Sequence, residues 1–160
     1  MKAPRRYPAY LTLMMLLASA AAARDRDQVV ILGTDTGTFT YTGTSDPNVI
    51  QTSDTGTGEA TLIGRYHLTA SEEINVVTLQ ITNANFTIEV SNGDKLFGTY
   101  GGAAQPGSAA GTVHYQVSGP ITGGTGRFAR ATGSIAFLGP ADLNNKTFGD
   151  VVLIVIDSSR

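Results

Sequence analysis

The 160-residue chain contains no cysteine, so disulfide bonds and a cysteine-linked lipid anchor are both excluded. The fold must therefore be held by its apolar core, which a domain of about 150 residues can do, since it buries about two-thirds of its unfolded surface. A basic cluster is also lacking, and this disfavours nucleic-acid binding. The basic residues are instead scattered, at Arg65, Lys95, Arg127, Arg130 and Lys146.

Long hydrophobic runs are missing as well. The run at residues 11–17 (LTLMMLL) is far shorter than the roughly 20 apolar residues that span a bilayer. It follows Lys2, Arg5 and Arg6 and precedes the small residues 18–23 (ASAAAA), the order typical of a secretory signal peptide. We expect cleavage near residues 22–23, with a retained N-terminal anchor as the alternative.

Removal of residues 1–23 would leave a single domain, residues 24–160, secreted or periplasmic and without a membrane span. Three basic residues leave with the leader, so 8 Lys plus Arg remain against 13 Asp plus Glu, a net charge of −5. This acidic balance also argues against a nucleic-acid partner.

Helical periodicity is absent, and the chain alternates with a period of two. Residues 38–42 (TFTYT) alternate threonine with aromatic side chains, as expected of a strand with one buried face. Residues 151–156 (VVLIVI) are wholly apolar, which predicts a strand buried on both faces. Further strands are predicted at residues 28–32, 60–68, 76–82, 112–117 and 134–138.

The Asn92-Gly93 pair between two strand-like runs predicts a β-hairpin over residues 86–100. Residues 101–111 (GGAAQPGSAAG) are interpreted as a flexible loop. About eight or nine strands with glycine-rich corners predict an all-β domain, either an antiparallel barrel or a β-sandwich. A barrel is favoured because closure removes exposed strand edges.

Motifs for known chemistries are lacking. Residues 124–129 (GTGRFA) fit the pattern G-x-G-x-x-A, but Gly133 would break the helix that a dinucleotide site requires. No Walker-type phosphate loop and no Gly-x-Ser-x-Gly nucleophile elbow occurs. His67 and His114 fall on separate strands without a nearby carboxylate cluster, so we expect neither a metal site nor a cofactor.

Two residues are weak candidates for catalysis, Glu89 and Tyr115. Glu89 shares one face of its strand with Thr87 and Ser91, so it is either an acid or base within the barrel or, as we favour, a solvated charge. Glu72 and Glu73 are interpreted as a solvated pair in a turn. Arg127 is expected to be structural, with its guanidinium reaching a carboxylate such as Asp94 or Asp150.

Three segments together resemble bacterial secreted proteins related to the allene oxide cyclase and dirigent barrels. They are, in chain order, residues 56–66 (GTGEATLIGRY), 90–96 (VSNGDKL) and 121–134 (ITGGTGRFARATGS). The resemblance covers roughly residues 56–138 and implies an eight-stranded, calycin-like antiparallel barrel with an apolar interior. The sequence departs from the family pattern at Tyr66, where phenylalanine is more usual, and at Arg130, where glycine is more usual.

In that context the late glycine-rich segment is interpreted as a barrel corner. Gly123, Gly124 and Gly126 would supply backbone freedom there, and Phe128 would point into the core beside Arg127. Barrels of this family often form dimers or trimers, so the resemblance is compatible with a homo-oligomer, although no residue here reports an interface.

Two functions are consistent with these features, and the sequence does not decide whether the protein is an enzyme. The first is a non-enzymatic exported barrel that binds a small hydrophobic molecule, since eight-stranded barrels can hold one small ligand. The alternative is a cyclase or isomerase that acts on an apolar substrate inside the barrel, with Glu89 or Tyr115 as its polar group. A wholly aliphatic lumen would exclude the second.

Overall fold

The computed structural model describes residues 28–157, and the predicted signal peptide lies outside the described residues. Eight antiparallel strands each pair with the next, and the last pairs with the first, so the sheet closes into a barrel. The barrel is thus confirmed over the sandwich. The strands are β1 (Gln28–Gly43), β2 (Val49–Ala60), β3 (Gly64–Asn75), β4 (Gln80–Val90), β5 (Lys95–Pro106), β6 (Thr112–Gly124), β7 (Thr132–Asp142) and β8 (Thr147–Asp157). Among residues 28–157 no helix is long and apolar enough to cross a membrane.

The hairpin predicted around Asn92-Gly93 is present as β4 and β5. Gly93 adopts a φ of +86°, a conformation that glycine takes readily and other residues rarely do. The Asn92 side chain accepts a hydrogen bond from the Asp94 backbone N–H over 3.1 Å. Local turn chemistry therefore sets this corner of the barrel.

Several strand predictions were wrong in extent. Segments 28–32 and 38–42 belong to one long strand, β1, and the predicted loop 101–111 is β5 as far as Pro106. In β8 only alternate residues are buried, because a barrel strand has one inward and one outward face, and Val151 is 38% exposed. A barrel this small therefore cannot bury its last strand on both faces.

The two ends of the barrel differ in packing. The end that we call the closed end carries turns 61–63, 91–94 and the short 3₁₀ helix Gly126–Phe128. In the half of the barrel nearest the closed end, inward side chains fill the interior. They include Ile31, Leu68, Phe86, Ile88, Leu96, Ile135, Val152 and Ile154. The opposite end, which we call the open end, carries loops 44–48, 76–79, 107–111 and 143–146.

Candidate functional site

A cavity of about 340 Å³ occupies the half of the lumen nearest the open end. Its rim includes Tyr41, Val76 and Leu143, each about half exposed, at 51%, 46% and 47%. Its volume lies at the lower end of the range of about 300–1,000 Å³ that is usual for small-molecule sites. Because its rim residues are partly exposed and mostly apolar, the cavity reaches the surface through an apolar mouth.

Aromatic rings form the floor of this cavity. Tyr100 and Phe137 line it, with ring centroids 5.8 Å apart, and Phe86 packs beneath them at 6.4 and 5.9 Å. Such tilted and edge-to-face pairs are the favoured arrangements of aromatic rings. The floor separates the cavity from the packed closed end.

Glycines in β1 and β2 make room for large side chains of the residues paired with them on the neighbouring strands. A Cβ atom at Gly37 would lie 2.5 Å from the Phe148 ring, which is one wall of the cavity. A Cβ atom at Gly58 would lie 2.5 Å from the hydroxyl of Tyr66. The Thr-Gly alternation of these strands therefore shapes the lumen directly.

Four carboxyl groups project into the barrel. We call them the lumen carboxyls: Asp35 on β1, Asp54 on β2, Glu72 on β3 and Asp150 on β8. Asp54, Glu72 and Asp150 line the cavity directly. Burying so many ionisable groups is unfavourable unless they are neutral or hydrogen-bonded, so their partners are important.

Asp35 and Asp150 form one pair of facing carboxyl groups. They lie directly opposite each other in the β1–β8 register, and both are buried inside the barrel. Tyr66 donates to Asp35 Oδ2 over 2.9 Å, and Tyr115 donates to Asp150 Oδ1. Burial, together with the charge of Asp35, raises the pKa of Asp150 to about 8, and burial raises the pKa of Asp35 too. The pair therefore holds a proton at neutral pH.

Glu72 and Asp54 form a second acidic group, on neighbouring strands. Glu72 accepts a hydrogen bond from the hydroxyl of Tyr100, and burial raises the pKa of its carboxyl. Burial and the charge of Glu72 raise the pKa of Asp54 to about 7. Thr52, which faces Glu72 in the β2–β3 register, is 3% exposed and lines the same wall.

The tyrosines remain neutral donors in this arrangement. Burial and the adjacent carboxylate charges raise the pKa values of Tyr66, Tyr100 and Tyr115 well above the ordinary value of 10. Asp54 and Asp150, by contrast, have pKa values of about 7 and about 8 and therefore exchange protons near neutral pH. An apolar cavity with acids poised in this way can bind a ligand, hold it by a polar group, or move a proton on it.

The structure separates the two candidate catalytic residues. Tyr115 lines the cavity, and its hydroxyl donates a hydrogen bond to Asp150. Glu89 lies on the outer face of β4, where its Oε2 is 3.1 Å from Lys95 Nζ and both side chains are 46% exposed. Glu89 therefore takes the solvated position, outside the lumen. His67 and His114 are exposed on outer faces too.

The glycine-rich segment is a corner at the closed end, far from the cavity. Gly126 has a φ of +54° and leaves no space for a Cβ atom beside Asp94. Asp94 Oδ2 accepts the Arg127 backbone N–H at 3.2 Å and lies 3.9 Å from Arg127 Nε. Phe128 is 6% exposed, with the guanidinium of Arg127 4.8 Å from its ring centroid. Two of the three segments that carry the resemblance thus contact each other here. Gly123 and Gly124, at the end of β6, pair with Phe97 and Leu96 of β5.

Sequence reasoning missed the lumen carboxyls. The prediction that Glu72 and Glu73 lie in a solvated turn was wrong, because β3 continues to Asn75 and its alternation places Glu72 inward after Tyr66 and Ala70. Besides the alternation of β3, a second signal for inward carboxyls was the sequence Asp-Thr-Gly-Thr, which occurs at residues 35–38 and again at 54–57. In an alternating strand this motif places the aspartate and the glycine on the same face.

No protein-family model matches the chain, and no curated protein or solved structure is significantly similar to it. The fold and the cavity define a small closed antiparallel β-barrel with an acidic, aromatic-floored lumen.

Proposed function

We propose that the protein is an exported barrel that binds one small, mostly apolar molecule in its lumen. The observation that carries this proposal is the cavity of about 340 Å³, whose apolar rim lies at the open end and whose aromatic floor closes it below. Burial of apolar surface contributes about 25 cal/mol for each Å² removed from water. The resemblance to the allene oxide cyclase and dirigent barrels is consistent with this use of the lumen.

A lumen-filling variant tests the proposal. Ala70 lines the cavity, whereas its neighbour Thr69 points out of the same strand. We expect Ala70→Phe to abolish binding of a fluorescent apolar dye, and Thr69→Phe to leave it intact. Both variants add the same ring, so a general effect on the surface would alter both. If the wild-type protein binds neither a dye nor any molecule extracted from its native host, the proposal fails.

The second candidate function is a cyclase or isomerase acting on an apolar substrate in the same lumen. It is supported by the lumen carboxyls, because Asp54, with a pKa of about 7, can accept or donate a proton near neutral pH. Tyr115 could orient a polar group of the substrate beside Asp150.

Incubation with a host lipid extract in D₂O separates the two functions. An isomerase that moves a proton through Asp54 would introduce deuterium from the solvent into one extracted compound, detected by mass spectrometry, and Asp54→Asn would stop the exchange. A binding protein would enrich a compound without labelling it. Labelling that persists in Asp54→Asn would remove Asp54 from the mechanism.

A further inference from the structure

The charges of the lumen are unbalanced. Four carboxyl groups lie inside the barrel, whereas every basic side chain among residues 28–157 is exposed. Those basic residues are Arg65, His67, Lys95, His114, Arg127, Arg130 and Lys146. Buried carboxylates are normally paired with a cation or a hydrogen-bond donor. Tyrosine hydroxyls fill that role for Asp35, Glu72 and Asp150.

Polar atoms on one wall of the cavity also lack partners. Thr52 Oγ1 and Asp54 Oδ1 are buried on this wall and have no hydrogen-bond partner of good geometry, while Thr52 lies close enough to lower the pKa of both Asp54 and Glu72. Glu72 stands opposite Thr52 across the β2–β3 pair. These three residues present a set of acceptor oxygens to whatever occupies the lumen.

We propose that the lumen selects a primary amine on an apolar body, with the ammonium group held among Thr52, Asp54 and Glu72. This inference rests on the proposed function and names the ligand class. A primary ammonium carries three donors and one positive charge, which match the acceptor oxygens of this wall. The aromatic floor adds a favourable cation–π surface through Tyr100.

Other cations fit this lumen poorly. No group of three or more His, Cys, Asp or Glu side chains within residues 28–157 is arranged to hold a metal ion. The wall beyond the carboxyls is hydrocarbon from Ile50, Ile74, Ile81 and Val113, which cannot replace the water around an inorganic cation. A fatty acid would bring a further negative charge to the lumen carboxyls, and an alcohol supplies only one donor.

Binding of an amine should depend on pH through the groups that surround it. Those groups are Asp35 on β1, Asp54 on β2, Tyr66 and Glu72 on β3, Tyr100 on β5, Tyr115 on β6 and Asp150 on β8. An ammonium favours their ionised carboxylates, so its arrival should release protons near neutral pH. A neutral ligand should release none.

Calorimetric titration with three eight-carbon ligands tests the inference on the intact folded protein. We expect octylamine to bind at least tenfold more tightly than 1-octanol at pH 7.5, and octanoate to bind most weakly. The preference for the amine should shrink at least fivefold at pH 5.5, where Asp54 and Asp150 are protonated. Titrations in two buffers of different ionisation enthalpy should show proton release for octylamine alone.

Isosteric variants locate the ammonium. Asp54→Asn and Glu72→Gln should each reduce octylamine affinity at least fivefold and change 1-octanol affinity less than twofold. Glu89→Gln, the matched loss of charge from the outer face, should change neither. Equal binding of octylamine and 1-octanol would overturn the amine inference and leave the proposed function standing. Binding of no eight-carbon ligand would count against both.

Discussion

The buried carboxyl group of Asp150 faces that of Asp35, the residue directly across from it in the β8–β1 pair. Tyrosine hydroxyls approach the pair from two other strands, Tyr66 from β3 and Tyr115 from β6. Four strands of the barrel are therefore connected through one protonated acid pair. Hydrogen-bonded networks of this kind stabilise the fold only while every member is satisfied, so the protonation state should be coupled to stability.

The free energy of unfolding should fall as pH rises from about 4 to about 8. In the folded protein the pKa of Asp54 is about 7 and that of Asp150 about 8, against an ordinary value of 3.8. Within this window the folded state holds protons that the unfolded chain has released, so each such group removes up to about 1.4 kcal/mol of stability per pH unit. Urea unfolding at pH 5.5, 7 and 8.5 measures the slope.

The matched variants for this measurement are Asp150→Asn and Glu89→Gln. Asp150→Asn removes one titrating group from the lumen and should flatten the slope, whereas Glu89→Gln removes a carboxyl from the outer face and should preserve it. Stability that rises between pH 5.5 and 8.5 would contradict the burial of these acids.

Loss of the Tyr115 hydroxyl should raise the pKa of Asp150 further. The hydrogen bond from Tyr115 lowers that pKa against the effect of burial. Tyr115→Phe should therefore extend the titration of Asp150 above pH 8 and destabilise the protein by about 1–3 kcal/mol. Carboxyl ¹³C NMR reports the pKa directly. Tyr41→Phe removes a hydroxyl from the exposed rim and serves as the control; an equal shift there would argue against a direct contact.

Glycine in the middle of β1 should tolerate no side chain. At Gly37 a Cβ atom would lie 2.2 Å from the carbonyl oxygen of Thr55 and 2.5 Å from the Phe148 ring. We expect Gly37→Ala to cost about 1–3 kcal/mol through overpacking. Gly43→Ala, at the end of the same strand, meets no atom within 4 Å and should be neutral or slightly stabilising. Thermal unfolding compares the two, and equal melting temperatures would contradict this packing.

The closed-end corner should show coupling between Asp94 and Gly126. A Cβ atom at Gly126 would overlap the Asp94 carboxyl, in addition to the strain of a φ of +54°. Gly126→Ala should therefore be more destabilising in the wild-type background than in Asp94→Ala, where the carboxyl is gone. A double-mutant cycle by urea unfolding measures the difference. Strictly additive effects would show that Asp94 does not contact this glycine.

The fold was predictable because its signals are local. Alternation along β6 places Tyr115 and His114 on opposite faces of the strand. The Asn92-Gly93 pair determines the β4–β5 turn. Strand lengths were less predictable. Residues 101–106 lack large side chains, yet they form part of a strand because both neighbouring strands pair with them. Ala103, for example, pairs with Gln80 of β4 and with Gln116 of β6. Pairing partners far away in the chain override weak local propensity.

The candidate site was mostly hidden, for a different reason. An acidic residue in an alternating strand is ordinarily placed on the solvent face, and this expectation holds for Glu89 but not for Glu72. Only closure of the barrel decides which face is inside, and closure depends on the pairing of β1 with β8. The carboxyl of Asp150 meets that of Asp35 through this pairing, across more than 100 residues of chain.

Methyl NMR with 1-octanol tests the central claim, that the lumen is a ligand site, most directly. The methyl groups of Ile50, Ile74 and Ile81 line the cavity, whereas those of Leu32 and Val151 lie on the outer face of the barrel. We predict saturable shifts of the three isoleucine methyl signals, with no change at the outer methyls, and loss of the shifts in Ala70→Phe. Shifts confined to the outer methyls, or equal in Ala70→Phe, would contradict the account.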